Sequence, residues 1–377
     1  MELVHPLFLS KKIMTAIRYF SIISLIIISV SCIDERSGLE KGNWNPDVYR
    51  KLDSVIVADG ILGRGYDIQR KPYAVFDFDN TSIMNDCEIS LMHYMISHMS
   101  FKIAPEEMFR TITCTIPQID FPVIGNNTVR MIAEDIASDY SLLYGKNLSE
   151  IEASDVYKDF KAKLSALYFV TEDNYEYKVC CEWILKLFNG LSVSELKNLV
   201  IDSFDYNSAM KTISVVNWES PVMGRCGKIT STHYEGIVAT EEMRNLYATL
   251  RKNGFDVYIC SASLETVVET IACHEQSGFD MSPEYVYGLR LSDSGDRIVD
   301  AVLDPEYTQT FRQGKSDAIR KFISPSHGGR GPSIVGGDSN GDYNMLTDFE
   351  DMKVGLIIDS GNGGGIGELV SGGDPKY

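Results

Sequence analysis

Residues 71–86, "KPYAVFDFDNTSIMND", set four consecutive apolar residues, Tyr73 to Phe76, against two aspartates one residue apart, Asp77 and Asp79. A short apolar run bounded by turn residues is what a strand covered on both faces requires. The stretch therefore predicts a buried parallel strand that delivers two carboxylates at its carboxyl end, where ligands collect in open parallel sheets.

Working outward, a long helical tract follows from Glu88 to roughly Met210. Within it, "DVYKDFKAKLSALYF" places Val156, Phe160, Leu164 and Leu167 on one helical face. Gly190 closes the helix "YKVCCEWILKLFN". Ser192 and Glu195 then form a capping box, with Leu191 and Leu196 at the staple positions. After "GKITSTHYEGIVAT" the pattern changes to alternating helix and strand: helix "EEMRNLYATLRKNG", strand "DVYIC", helix "LETVVETIACHEQ", strand "EYVYGL", helix "KSDAIRKFI", then strands "PSIVGG" and "KVGLII". This alternation marks an α/β fold with a doubly wound parallel sheet. The expected division is a signal at 1–31, a tether at 32–46, a core at 47–86 and 238–377, and a large, mainly helical cap at 87–237 inserted after the first core strand. The tail "SGNGGGIGELVSGGDPKY" reads as a flexible end.

At 377 residues the chain is long for a single core, and 44% hydrophobic content places it among folded globular proteins. A net charge of -18 lacks the basic footprint of a nucleic-acid binder, so no nucleic acid is expected as partner, and no protein partner is indicated. A phosphate-bearing ligand would have to be met by a metal or by locally placed cations. Seven cysteines follow Cys32 with no CxxC pair, which argues against zinc.

Lys11, Lys12 and Arg18 precede the uncharged run "YFSIISLIIISVS", Tyr19 to Ser31, which ends at Cys32. Thirteen residues are too few to span a bilayer, which takes ~20, but they suit the apolar region of an export signal. "SVSC" resembles the lipobox of bacterial lipoproteins, in which the cysteine, here Cys32, is lipidated and anchors the mature chain to a membrane. An uncleaved apolar anchor and a secretory signal without lipid are the alternatives. Each places the body of the protein outside the cytoplasm, at the cell envelope.

Four strand or helix ends carry polar residues of a consistent kind. "YAVF" ends in Asp77-Phe78-Asp79-Asn80-Thr81, "DVYIC" in Ser261, Lys315 opens its helix, and "SIVGG" ends in Asp338-Ser339-Asn340-Gly341-Asp342. Taken singly these are weak: Ser261 and, more so, Ser263 read as helix N-caps, and Lys315 as a surface lysine. "GDSNGD" reads as a polar turn or a calcium loop, although Phe349 stands where such a loop needs its bidentate Glu. Together, D-x-D-x-T, a strand-terminal Ser, an isolated Lys and G-D-x-x-x-D in this order resemble the four motifs of the haloacid dehalogenase-like (HAD) phosphatase superfamily. "GIVATEEMRNLYATLRKNGFDVYICSAS" is most similar to its phosphoserine phosphatase-like branch, and the "DxDNT" and "SAS" layout to the secreted phosphorylcholine phosphatases of that branch.

The resemblance implies a HAD-like Rossmannoid core and hydrolysis of small phosphomonoesters. Asp77 would be the nucleophile that takes the phosphoryl group, and Asp79 the acid and base of the two half-reactions. Asp77 and Asp338, with the backbone carbonyl of Asp79, would hold Mg²⁺. Ser261, Lys315 and Thr81 would bind the phosphate, and Asp342 would orient Lys315 or a metal-bound water. Asp77 and Ser261 lie 184 positions apart, which is where the family inserts a helical cap. The segment Cys87–Val238 holds nine of the twenty tyrosines and two of the three tryptophans. Most must pack the core, but a few aromatic faces and a carboxylate would suit a cationic leaving group such as that of phosphocholine or phosphoethanolamine. A phosphoserine or broad-specificity scavenging phosphatase is the alternative within enzymes. A surface binding lipoprotein on a catalytically silent scaffold is the alternative outside them, and it would usually have lost a carboxylate or the lysine; here all are present.

Overall fold

The structure, a computed structural model, describes residues 37–377; the apolar run Tyr19–Ser31 and Cys32 lie outside the described residues. Tyr73–Phe76 is β1, the central strand of a five-stranded sheet. Two antiparallel hairpins follow, β2 Pro122–Ile124 with β3 Asn127–Thr128, and β4 Ser214–Glu219 with β5 Thr230–Glu235. The remaining strands are β6 Asp256–Leu264, β7 Val286–Leu289, β8 Ile334–Gly337 and β9 Val354–Ile357. The sheet runs β7-β6-β1-β8-β9 and every pair in it is parallel, as expected from the apolar runs.

The period of two along β1 divides the interior. Ala74 and Phe76 face a core shared with helices Pro46–Asp59, Glu241–Lys252 and Glu265–Ala272, and this core continues without a break into the helices inserted between β1 and β6. Tyr73 and Val75 face a smaller core against Ile319, Met345, Leu346 and Ile366. The carboxyl ends of β1, β6 and β8 consequently open on one edge of the sheet, beneath the inserted elements, and the helix that carries Lys315 begins there.

Among those elements, helices Val129–Leu143 and Asp155–Asn174 are joined by a buried charge. The Lys163 ammonium donates to Asp135 at 2.8 Å and Asp159 at 2.7 Å. Asp135 also accepts the N–H groups of Arg225 and Cys226 at 2.9 and 3.0 Å, which holds the β4–β5 loop. The Ser192–Glu195 capping box forms as expected, and Leu191 and Leu196 are buried beside it.

Four features differ from the sequence expectation. The β4–β5 hairpin stands beyond the helical tract, within the cap expected to be mainly helical; the inward residues of β5 are Ser231 and His233, so that strand carries no apolar alternation to reveal it. Strand β6 continues past Cys260 to Leu264. The glycine-rich tail folds back: Gly364–Ser371 is a helix, the Lys376 carbonyl accepts the Gly355 N–H at 2.8 Å, and Tyr377 Oη donates to the Leu346 carbonyl at 3.0 Å. The expected tether is docked from Ser37 onward, with Leu39 buried and the Glu40 N–H donating to Asn245 at 2.9 Å. Among the described residues no disulfide joins the seven cysteines, and no helix is long and apolar enough to cross a membrane.

The hairpin closes over an unusual contact. The His233 ring stacks on His93 of helix Cys87–His98 with centroids 3.8 Å apart and planes 9° from parallel, and Trp218 meets His233 edge-on. His93 Nε2 pairs with Ser165 Oγ at 2.9 Å, and that hydroxyl pairs with Ser231. Burial pushes both imidazoles down: His93 well below its ordinary value, assisted by His233, and His233 to about 4, assisted by Lys161. Glu235 lies 3.5 Å from His233 Nε2 without reversing this. Because the unfolded imidazole titrates near ~6.5, the contribution of His233 is fully present above that pH and is lost as pH falls from there toward about 4. The wild type should therefore lose more thermal stability than His233→Phe over this window. Equal slopes in melting experiments across it would contradict the assignment.

Candidate active site

Asp77 continues the β1 ladder by one bond, its N–H donating to the Gly336 carbonyl at 2.9 Å. The chain then turns sharply. Asn80 adopts a left-handed φ of 54°, and the Phe78 carbonyl accepts from Ser82 and Ile83 at 2.9 and 3.0 Å. The Ser82 hydroxyl donates to the Asp77 carbonyl at 2.6 Å and pairs with Tyr247 Oη. Buried Phe78 packs edge-on against Phe279. This apolar and hydroxyl anchoring leaves the two aspartates little freedom.

One oxygen of Asp77, Oδ1, accepts from the Phe78 N–H at 2.8 Å and from the Lys315 ammonium at 2.8 Å. Lys315 is buried and also donates to Asp342 Oδ1 at 2.6 Å. The second oxygen of Asp342 takes the N–H groups of Asp338 and Ser339 at 3.0 and 3.1 Å. Asp342 reaches this position because residue 337 is glycine: a Cβ there would lie 2.5 Å from the Asp342 Cβ. With both oxygens engaged, Asp342 is tied to Lys315 and to the β8 turn. Carboxylate oxygens of Asp77, Asp338 and Asp342 lie within 4.8 Å of one another.

Asp79 points the other way. Its Oδ1 accepts the Cys87 N–H at 2.7 Å, and its Oδ2 accepts the hydroxyls of Ser263 at 2.8 Å and Ser261 at 3.4 Å. Ser263 is thus not the N-cap it resembles. Helix Glu265–Ala272 has no side-chain cap at its start, and the Leu264 N–H is taken by Glu88 at 3.0 Å instead. Strand β6 runs through both serines, and spacing of two turns both hydroxyls toward Asp79. Thr81 also departs from expectation. It is fully buried, reaches Asp338 Oδ1 at 3.4 Å and does not line the cleft, so it supports Asp338 instead of facing a phosphate.

Charge is badly unbalanced here. Burial, with Asp342 and Asp338 nearby, holds the Asp77 carboxyl well above its usual range despite Lys315. Burial and Asp342 push Asp338 up to about 7. Burial alone would lower the Lys315 ammonium, but Asp342 and Asp77 outweigh it and keep it protonated. One cation therefore faces three carboxyls.

Over this floor lies a cleft of about 220 Å³. Its floor is Asp77, Asp79, Ser261, Lys315 and Asp338, and its roof comes from the inserted helices: Asp86, Glu88, Tyr168, Glu172, Tyr177 and the Cys180–Cys181 pair. Lys315 is the one cation among the lining residues. Burial raises Glu88 to about 8 and raises Glu172, while burial and Asp79 raise Asp86. A roof of carboxyls and phenol rings disfavours an anionic group and suits a cationic one. Sequence reasoning missed these roof residues and Ser263. The only available signal was the "SAS" spacing that sets both serines on one side of a strand.

No family model matches the chain. It is 24% identical over 331 residues to phosphorylcholine phosphatase of Pseudomonas aeruginosa, covering 82% of this chain and 78% of that one. The solved structure of a conserved protein of unknown function from Anaerococcus prevotii superimposes with a TM-score of 0.82 at 30% identity, covering 90% of this chain and 94% of that one.

The Asp79 contacts make Ser263 a positioning residue. Hydrogen bonds to a charged group contribute ~1.5–3 kcal/mol, so Ser263→Ala should lower kcat roughly 10- to 100-fold with KM nearly unchanged. Ser263→Thr should restore much of the rate. A rise in KM at constant kcat would instead place Ser263 on the substrate.

Proposed function

We propose that this chain, a member of the haloacid dehalogenase-like phosphatase superfamily, is an exported, lipid-anchored phosphomonoesterase that acts through Asp77 on small phosphate esters of cationic amino alcohols. The observation that carries this reading is a cleft with two unlike halves. The floor pairs a free carboxylate oxygen with a buried ammonium, and the roof offers acids and phenol rings with no cation among its lining residues.

Asp77 Oδ1 is held by the Phe78 N–H and Lys315, which leaves Oδ2 to attack phosphorus. The bond from Oδ2 to phosphorus forms as the ester oxygen leaves, and Asp79 gives that oxygen its proton. Water then attacks the same phosphorus, Asp79 takes the water proton, and the aspartyl–phosphate bond breaks to release inorganic phosphate. Lys315 and Ser261 supply donors to the phosphoryl oxygens throughout. The excess of carboxyls fits a hard cation, because two converging oxygen donors with raised pKa values lack sufficient positive charge. Asp77 and Asp338, with the Asp79 carbonyl, would hold Mg²⁺, which when bound offsets repulsion between the carboxylate and the phosphate dianion. Export and anchoring rest on the apolar run and Cys32, with the expected cap and core divided at about residues 87 and 238.

Two measurements test this reading. Chelation should abolish hydrolysis and Mg²⁺ restore it, while Asp77→Asn should lose several orders of magnitude in kcat and stay folded; full activity in chelator, or in the variant, would refute the mechanism. In a substrate comparison, phosphocholine or phosphoethanolamine should exceed phosphoserine and sugar phosphates in kcat/KM by about 2- to 30-fold, the range that ~0.5–2 kcal/mol of cation–π attraction provides. Preference for sugar phosphates would remove the cation-selective role of the roof and leave the phosphatase intact.

A further inference from the structure

The most exposed apolar loop of the core lies opposite the cleft. Residues 60–70, "GILGRGYDIQR", join helix Pro46–Asp59 to β1 and leave Ile61 54%, Leu62 76% and Ile68 66% exposed. The loop is not loose. The Ile61 N–H donates to the Asn253 carbonyl at 2.9 Å, a Cβ on Gly254 would meet Tyr66 Oη at 2.8 Å, and Arg330 donates to the Arg70 carbonyl. These contacts place it at the amino ends of β1, β6 and β8.

The chain enters at the same place. The Asn253 side chain donates to the Ser37 carbonyl at 2.7 Å, so Ser37 and Ile61 are held by one residue. Ser37 to Asn45 is docked, and only four residues, 33–36, separate Ser37 from Cys32 and the apolar run before it. Fully extended, that link spans at most ~18 Å. Arg64 and Lys252 are exposed around the three apolar residues, and Arg70 beside them is paired with Asp67 at 2.9 Å, which leaves two cations unpaired among the described residues at this edge of a chain of net charge -18. Apolar side chains flanked by arginine and lysine match the boundary between acyl chains and anionic headgroups.

We infer that the Gly60–Arg70 loop is a lipid-contacting face that seats the catalytic body on the membrane with its cleft turned outward. This rests on the anchoring proposed above and goes beyond it. An anchored domain on a free tether would sample all orientations, whereas a docked entry point beside an exposed apolar loop fixes one. The four-residue strand β1 alone separates that face from Asp77 by ~13 Å. The cleft then opens toward the aqueous side and takes soluble phosphomonoesters, not the headgroups of the bilayer on which the protein sits.

The test places a reporter on each side of full-chain protein purified from membranes and reconstituted into vesicles of phosphatidylethanolamine and phosphatidylglycerol. Leu62→Trp reports the proposed face. Val222→Trp, at a position 83% exposed in the β4–β5 loop, reports the opposite side. Brominated lipids should quench the tryptophan of Leu62→Trp well beyond wild type and leave Val222→Trp at the wild-type level, with hydrolysis of a soluble ester in detergent unchanged in both. Vesicle-bound protein with neither site quenched, or with Val222→Trp quenched instead, would overturn the docking face and leave the anchor standing. Protein that does not float with the vesicles would overturn the anchor and the docking together. A detergent-solubilised dimer that Leu62→Asp dissociates would assign the face to a second copy of the chain and overturn the lipid assignment.

Discussion

A single buried ammonium holds the catalytic floor together. Lys315 bridges Asp77 at 2.8 Å and Asp342 at 2.6 Å, and Asp342 in turn fixes the main-chain N–H groups of Asp338 and Ser339. The carboxyl ends of β1 and β8 are thereby tied to the helix that carries Lys315. Breaking a buried pair by removing one partner leaves an uncompensated charge and costs ~3–5 kcal/mol, so this contact is structural before it is catalytic. It is also insufficient, since three carboxyls share one cation. The same shortage that raises the pKa values of Asp77 and Asp338 suits the floor to a metal ion, which with the lysine would offset the charge of a phosphate dianion.

The inserted helices contribute a contrasting half. Nothing in the roof repeats the lysine; Asp86, Glu88 and Glu172 surround two tyrosines. On the proposed reading, the phosphate would meet the floor that carries Lys315, and a positively charged alcohol the side of the cleft that lacks positive charge. Asp79 lies where the two halves meet, fixed by Cys87 from the inserted helix and by Ser261 and Ser263 from β6. The inserted helix and the strand that carries the serines therefore position Asp79 together.

Much of this was legible in the sequence because chemistry restricts residue type at strand ends. Asp77, Asp79, Lys315, Asp338 and Asp342 each stand at the end of an element that an apolar run or a helix start identifies, and the similarity to a phosphorylcholine phosphatase agrees with the family that those motifs resemble. Ser263 was misread because a serine before a helix has the composition of a cap, whereas the strand in fact continues beneath it. Thr81 was misread because sequence order does not say which side of a turn a hydroxyl faces. Strand β5 was hidden because its inward positions are polar, and the tail because glycine content conceals the packing of Tyr377. The roof was beyond reach for a different reason: Asp86, Tyr168 and Tyr177 meet only through the packing of helices distant in sequence.

The most direct test of the account is where the phosphoryl group resides during turnover. Protein quenched in acid early in the reaction with a small phosphomonoester should carry a hydroxylamine-sensitive phosphoryl adduct on the peptide containing Asp77, seen by mass spectrometry and missing from Asp77→Asn. An adduct on any other residue, or none while phosphate is released at the full rate, would contradict the account.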